Sequence, residues 1–110
     1  MAKTKPFSIT LLIDGSKKKI TQTGMKTSAL RKIMKYYKEM EEIAEAEKAG
    51  ERIDELTIID GMIQLICDIF TDPRVDFETV ADSIDANELA DTVEEILNSA
   101  MGVDEESKKA

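Results

Sequence analysis

IDELTIIDGMIQLICDIFT, residues 53–71, decides the fold class. Within it Leu56, Ile59, Met62, Ile63, Ile66, Cys67, Ile69 and Phe70 recur at intervals of three and four, the spacing of one helix face. Asp60-Gly61 is also a pair that hairpin turns use. The three-four spacing nevertheless continues through it, and an interior Gly costs only about 1 kcal/mol relative to Ala, which this much apolar burial outweighs. The segment is the most apolar in the chain, so the core is expected to centre on it. Asp72-Pro73 ends the helix, because Pro disfavours helical geometry in the residue before it.

On the C-terminal side, Asp76 is placed to cap a short helix over 77–84, with Phe77, Val80, Ala81 and Ile84 on one face. Asp85 and Glu88 have the spacing of a capping box for a last helix over 86–101. Its stripe is Leu89, Val93, Ile96, Leu97, Ala100 and Met101, and Gly102 supplies the stop. VDEESKKA, residues 103–110, is too polar to dock and predicts a disordered tail.

On the N-terminal side, Gly50 closes a helix over 29–49 that Thr27 or Ser28 can cap. Leu30, Ile33, Met34, Tyr37, Met40 and Ala44 form its expected inward stripe. Its polar face turns from Arg31, Lys32, Lys35 and Lys38 to Glu39, Glu41, Glu42, Glu45 and Glu47, the reverse of what the helix macrodipole favours. That order suggests charges answering to something outside the helix. Phe7, Ile9, Leu11 and Ile13 alternate with Ser8, Thr10 and Leu12, and Asp14-Gly15 follows. This is a strand and a tight turn, with a lysine-rich return strand completing a hairpin over 7–23.

The expected fold is α+β and mostly α: an N-terminal β-hairpin packed on a four-helix bundle, one domain over 1–102. Ile59, Ile63, Ile66, Phe70, Val80, Val93 and Leu97 should be among its least exposed residues. At 110 residues the chain buries enough surface to fold without disulfides or a metal, and 42% hydrophobic content argues against wholesale disorder. No signal core or membrane span is visible, so a soluble cytosolic protein is expected.

The chain has no His and one Cys, which removes the commonest general base, the commonest metal ligand and every intramolecular disulfide. Cys67 lacks an activating His and reads as a small core residue. The acids of 72–95 fail the calcium-loop spacing: counted from Asp85, position five is Leu89 and position twelve is Ile96. The five glycines are scattered, so no phosphate-cradling loop exists. No catalytic residue, metal or cofactor is expected. The charge is also divided: residues 1–38 hold ten Lys/Arg and one acid, residues 39–110 five and twenty-two. The division predicts salt-sensitive pairing between copies. An alternative reading is a small nucleic-acid-binding or regulatory domain that uses the basic third.

The hairpin with Asp14-Gly15, the run SALRKIMKYYKEMEEI (28–43), the ending ICDIF (66–70) and VDFETVADSIDANELADTVEEILNSAMG (75–102) together resemble the tail assembly chaperones of long-tailed bacteriophages. Asp72-Pro73-Arg74 departs from that pattern, where a Gly/Asn-type turn is expected. The resemblance implies a non-catalytic protein of the host bacterial cytoplasm, absent from the mature virion. Such a protein holds the tape measure protein soluble while tail-tube subunits polymerise around it. It also implies a frameshifted longer form that recruits the major tail tube protein, for which Lys108-Lys109 offers a candidate slippery site. Neither nucleic acid nor a membrane is an expected partner under this reading. Amphipathic helices would offer the partner an apolar groove. The candidate partner-binding residues are Tyr36, Tyr37, Met40 and Ile43 of the first helix and Leu89, Val93, Leu97 and Met101 of the last.

Overall fold

In a computed structural model, residues 6–101 are described. Strands β1 (Pro6–Ile13) and β2 (Ser16–Thr23) are followed by α1 (Thr27–Lys48), α2 (Glu55–Ile69), α3 (Phe77–Ser83) and α4 (Leu89–Ala100). The chain is therefore α+β and mostly helical, with an antiparallel two-stranded hairpin and four helices. The expected stop at Gly102 and the expected tail over 103–110 lie outside the described residues.

Asp14 and Gly15 both take positive φ, +52° and +76°, as the two-residue turn of a tight hairpin requires. That turn sets the register, pairing Ile9 with Ile20, Leu11 with Lys18 and Phe7 with Gln22 on one face. Phe7, Ile9, Leu11 and Ile20 from this face are buried. Phe7 meets Phe70 edge to face, with ring centroids 5.2 Å apart. The open edge of β1 is closed by α3: the Ser83 hydroxyl accepts the Leu12 N–H at 2.7 Å and donates to the Thr79 carbonyl at 2.6 Å. Gln22 fastens β2 to the end of α2. Its amide donates to the carbonyls of Gly24 and Ile69, and its oxygen accepts the Thr71 N–H at 2.8 Å.

α2 lies among the other helices, in contact with α1, α3 and α4, while the hairpin meets α3 and α4 through β1. Asp54 caps α2 by accepting the Leu56 N–H and the Thr57 hydroxyl, and the helix runs unbroken through Asp60-Gly61. Ile66 and Ile69 of α2 are fully buried, as are Leu11, Ile33 and Val80 of β1, α1 and α3. Of the residues expected to be least exposed, Ile63, Ile66, Phe70, Val80, Val93 and Leu97 are buried, but Ile59 is 42% exposed. Ile59 shares a helix line with Ile63 and Ile66. The line is right, but the first turns of α2 run past the elements that cover it, and Leu56 is exposed there too.

Three other expectations are corrected. Thr27 and Ser28 do not cap α1: the Lys26 carbonyl already accepts from Ala29 and Leu30, so helical bonding begins earlier and Lys26 is the cap, without a side-chain bond. The inward line of α1 is Ala29, Ile33, Tyr36, Met40 and Ile43. Leu30, Met34, Tyr37 and Ala44, expected inside, are exposed. Both lines are spaced by three and four, and contact with α2 selects the first. Asp85 and Glu88 form no capping box. The Asp85 carboxylate takes the Asn87 N–H at 2.9 Å and its carbonyl the Glu88 N–H, so a turn fills 86–88 and α4 starts at Leu89.

The remaining punctuation follows expectation. Gly50, at φ +82°, ends α1 with its N–H on Glu47 and the Glu51 N–H on Ala46, the paired bonds of a glycine C-cap. Asp76 caps α3 through the Thr79 N–H. At Asp72-Pro73-Arg74 an Asp side chain does what a Gly/Asn turn would do. It accepts the Arg74 N–H at 2.9 Å and the Arg74 guanidinium at 2.7 Å, and the Asp72 carbonyl accepts from buried Val75.

A candidate partner groove between the first and last helices

α1 and α4 both pack on α2, and a groove of about 490 Å³ lies between them. It is lined by Tyr36, Tyr37 and Met40 of α1 and by Ala90, Val93, Glu94, Leu97 and Asn98 of α4. Periodicity builds each wall. Tyr36 and Met40 are four apart on the inward line of α1, and Tyr37 turns one step outward from it. Val93 and Leu97 form the floor, each about 3% exposed, because their line of α4 belongs to the core. Ala90, Glu94 and Asn98 follow the neighbouring line, which rises out of the core as the lip.

The walls are apolar and aromatic, and their polarity is confined to one carboxylate, one amide and two phenols. The rings of Tyr36 and Tyr37 lie 6.1 Å apart and tilted by 58°. The Tyr37 hydroxyl titrates above the ordinary tyrosine range, first because it is partly buried and then because the negative charge of Glu94 opposes its ionisation. Tyr36 is raised as well, by burial first and Tyr37 second. At neutral pH both phenols are therefore neutral donors. Other hollows differ in kind. The crevice between α1 and α2, about 230 Å³, is lined mainly by polar residues and crossed by a Lys32–Asp68 ion pair at 3.2 Å. Another hollow is walled by Glu41, Glu42, Glu45 and Glu51.

Of the candidate partner-binding residues, Tyr36, Tyr37, Met40, Val93 and Leu97 are brought together in the groove. Ile43 is half-buried one turn further along α1, Leu89 is buried at the start of α4, and Met101 is half-buried against the core; none of these three lines the groove. Sequence reasoning missed Ala90, Glu94 and Asn98, which each follow a residue of the apolar stripe (Leu89, Val93, Leu97) and carry no apolar signal of their own beyond a single methyl.

No group of His, Cys, Asp or Glu among the described residues is arranged to hold a metal ion. Burial, then the charges of Asp68 and Asp76, pushes the Cys67 thiol up to about 11, away from a nucleophilic thiolate. No described helix is long and apolar enough to cross a membrane. An apolar groove between two helices suits recognition of another chain's apolar side chains.

No curated protein and no solved structure matches the chain. The family model described as phage tail chaperone protein matches residues 4–110, nearly its full length, and the chain belongs to that family.

Proposed function

We propose that this protein is a non-catalytic chaperone that binds the phage tape measure protein and keeps it soluble while tail-tube subunits polymerise around it. The observation that carries the reading is the apolar groove between α1 and α4 in a member of the phage tail chaperone family. A long helical protein awaiting its tube exposes apolar stripes, and a groove floored by Val93 and Leu97 accepts such a stripe as a helix-in-groove contact. Met40 supplies an adaptable wall, since an unbranched thioether repacks around different side chains. A chain with 35% charged residues keeps the complex in solution. The protein acts in the host bacterial cytoplasm and leaves before the virion matures. A longer form, made by frameshifting near Lys108-Lys109, adds a domain that recruits the major tail tube protein.

Co-expression with the cognate tape measure protein tests the core of this reading. The wild-type chain should move the tape measure protein from the pellet to the soluble fraction and co-purify with it. Ala90→Glu, which puts a charge on the exposed lip, should abolish co-purification while leaving the helical circular dichroism signal intact. A tape measure protein that stays insoluble with the wild-type chain, or that binds A90E equally well, overturns the assignment. Mass spectrometry of purified virions should find no peptide of this chain.

A further inference from the structure

α1 holds an unpartnered apolar line and a charge pattern that its own fold leaves unanswered. Leu30, Met34 and Tyr37 lie along one face, 37%, 56% and 42% exposed. Beside them the first half of the helix is basic and the second half acidic. Its first turn contains no acid, although that is where the macrodipole favours one. Like charges are also stacked one turn apart, Arg31 with Lys35 and Glu41 with Glu45. Lys32 pairs with Asp68 of α2 and Lys48 with Glu45. Arg31, Lys35, Lys38, Glu39, Glu41 and Glu42 form no ion pair with another described residue. Taken alone, the helix carries most of its charges against its dipole, with Lys48 in the last turn the exception.

An antiparallel second copy sets opposite charge alongside both halves of the helix. We infer that the protein forms a two-fold symmetric dimer in which α1 packs antiparallel on α1 of a second copy along the Leu30–Met34–Tyr37 line. The helix has 22 residues, about 33 Å, and its midpoint falls between Tyr37 and Lys38. The change of sign falls between Lys38 and Glu39. A two-fold axis through the midpoint therefore overlaps both helices over their whole length. The same axis lays the basic half of each along the acidic half of the other. The contact is self-complementary, as a two-fold interface must be, and the two macrodipoles also oppose. Parallel pairing would set basic on basic and acidic on acidic. Glu41 interrupts the apolar line and faces the Met34 region of the other copy, close to its lysines. A polar residue at such a seam position fixes register and orientation rather than adding strength. The inference does not depend on what occupies the groove.

Sedimentation of the full chain tests it. A monomer–dimer equilibrium is expected, with Kd rising at least about tenfold between roughly 50 and 500 mM salt as exposed pairs are screened. Arg31→Glu/Lys35→Glu/Lys38→Glu leaves Lys32 and Lys48 as the basic residues of α1, makes both halves net acidic and should yield monomers. Glu41→Lys/Glu42→Lys/Glu45→Lys leaves Glu39 and Glu47 as the acidic residues of α1, makes both halves net basic and should do the same. An equimolar mixture of the two should dimerise again. These positions are exposed, and circular dichroism verifies that each variant is folded. In a Cys67→Ala background, Leu30→Cys mixed with Ala44→Cys should cross-link under oxidation, and Leu30→Cys alone should not. A wild-type chain that stays monomeric at low salt overturns the inference, as does a dimer indifferent to the charge reversals. Efficient cross-linking of Leu30→Cys to itself would mean a parallel pair and overturns it as well.

Discussion

Gln22 sits on a strand of lysines and threonines and yet holds the hairpin to the helices. Its amide donates to the Ile69 and Gly24 carbonyls while its oxygen accepts from Thr71, so one side chain satisfies groups at the end of α2 and at the exit of β2. Gln22→Ala leaves these partners to water or to nothing, and chemical denaturation should read a loss of about 1–2 kcal/mol. Cys67 makes the opposite case, a reactive atom type held inert. Its thiol titrates at about 11, so at pH 8 iodoacetamide should modify it more than tenfold more slowly than a free cysteine. The carboxylates predict an acid limb in stability. Asp72 is lowered to about 2, chiefly by the Arg74 side-chain hydrogen bond, and Asp54 and Asp76 are lowered by their cap bonds to Thr57 and Thr79. Groups depressed in the folded chain stabilise it above their ordinary pKa near 4, and that contribution disappears as pH falls through the folded values. Melting temperature should therefore decline between about pH 5 and pH 2, and Asp72→Asn should flatten the lower part of the decline.

At the scale of elements, a glycine inside one helix and a glycine just past the end of another should respond with opposite signs. Gly61 lies inside α2 with nothing within 4 Å of where a methyl would be, so Gly61→Ala should stabilise the protein by about 0.5–1 kcal/mol. Gly50 closes α1 at φ +82°, where an L side chain is strained whatever the space, so Gly50→Ala should cost about 1 kcal/mol or more. Thermal melts of the two variants decide both. The same elements show which parts of the fold were legible from the residues. Asp14-Gly15 between alternating residues admits one turn and hence one register, and Gly50, Asp76 and Pro73 act locally, so each could be read directly. The phase of α1 could not. Its two apolar lines have equal spacing, and only contact with α2 chooses between them. The start of α4 was not legible either, because the Asn87 N–H, two residues on, competes with the Glu88 N–H, three residues on, for the Asp85 carboxylate, and local sequence does not rank them. The groove was half legible. Apolar positions on α1 and α4 are visible in the chain, but that α2 sets these helices side by side is long-range information.

For the whole molecule, Tyr37 connects the two surfaces. It lines the groove between α1 and α4 and also lies on the apolar line of α1. A second copy packed along that line buries the ring that a tape measure helix would use, so self-pairing and cargo binding should exclude each other. When only the monomer is competent, the apparent cargo affinity falls with the competent fraction. Titrating a soluble tape measure segment into the chaperone well above its dimer Kd should therefore give weaker apparent binding than titration well below it. Saturating cargo should convert dimers to one-to-one complexes. The two surfaces separate by mutation because Met34 is exposed outside the groove and Ala90 lies on α4. Met34→Glu should leave cargo binding intact, remove its concentration dependence and abolish the dimer. Ala90→Glu should leave the dimer intact and abolish cargo binding. Calorimetry and sedimentation on the same samples read both quantities. Cargo that binds dimers as tightly as monomers would place the partner elsewhere on the molecule, away from Tyr37.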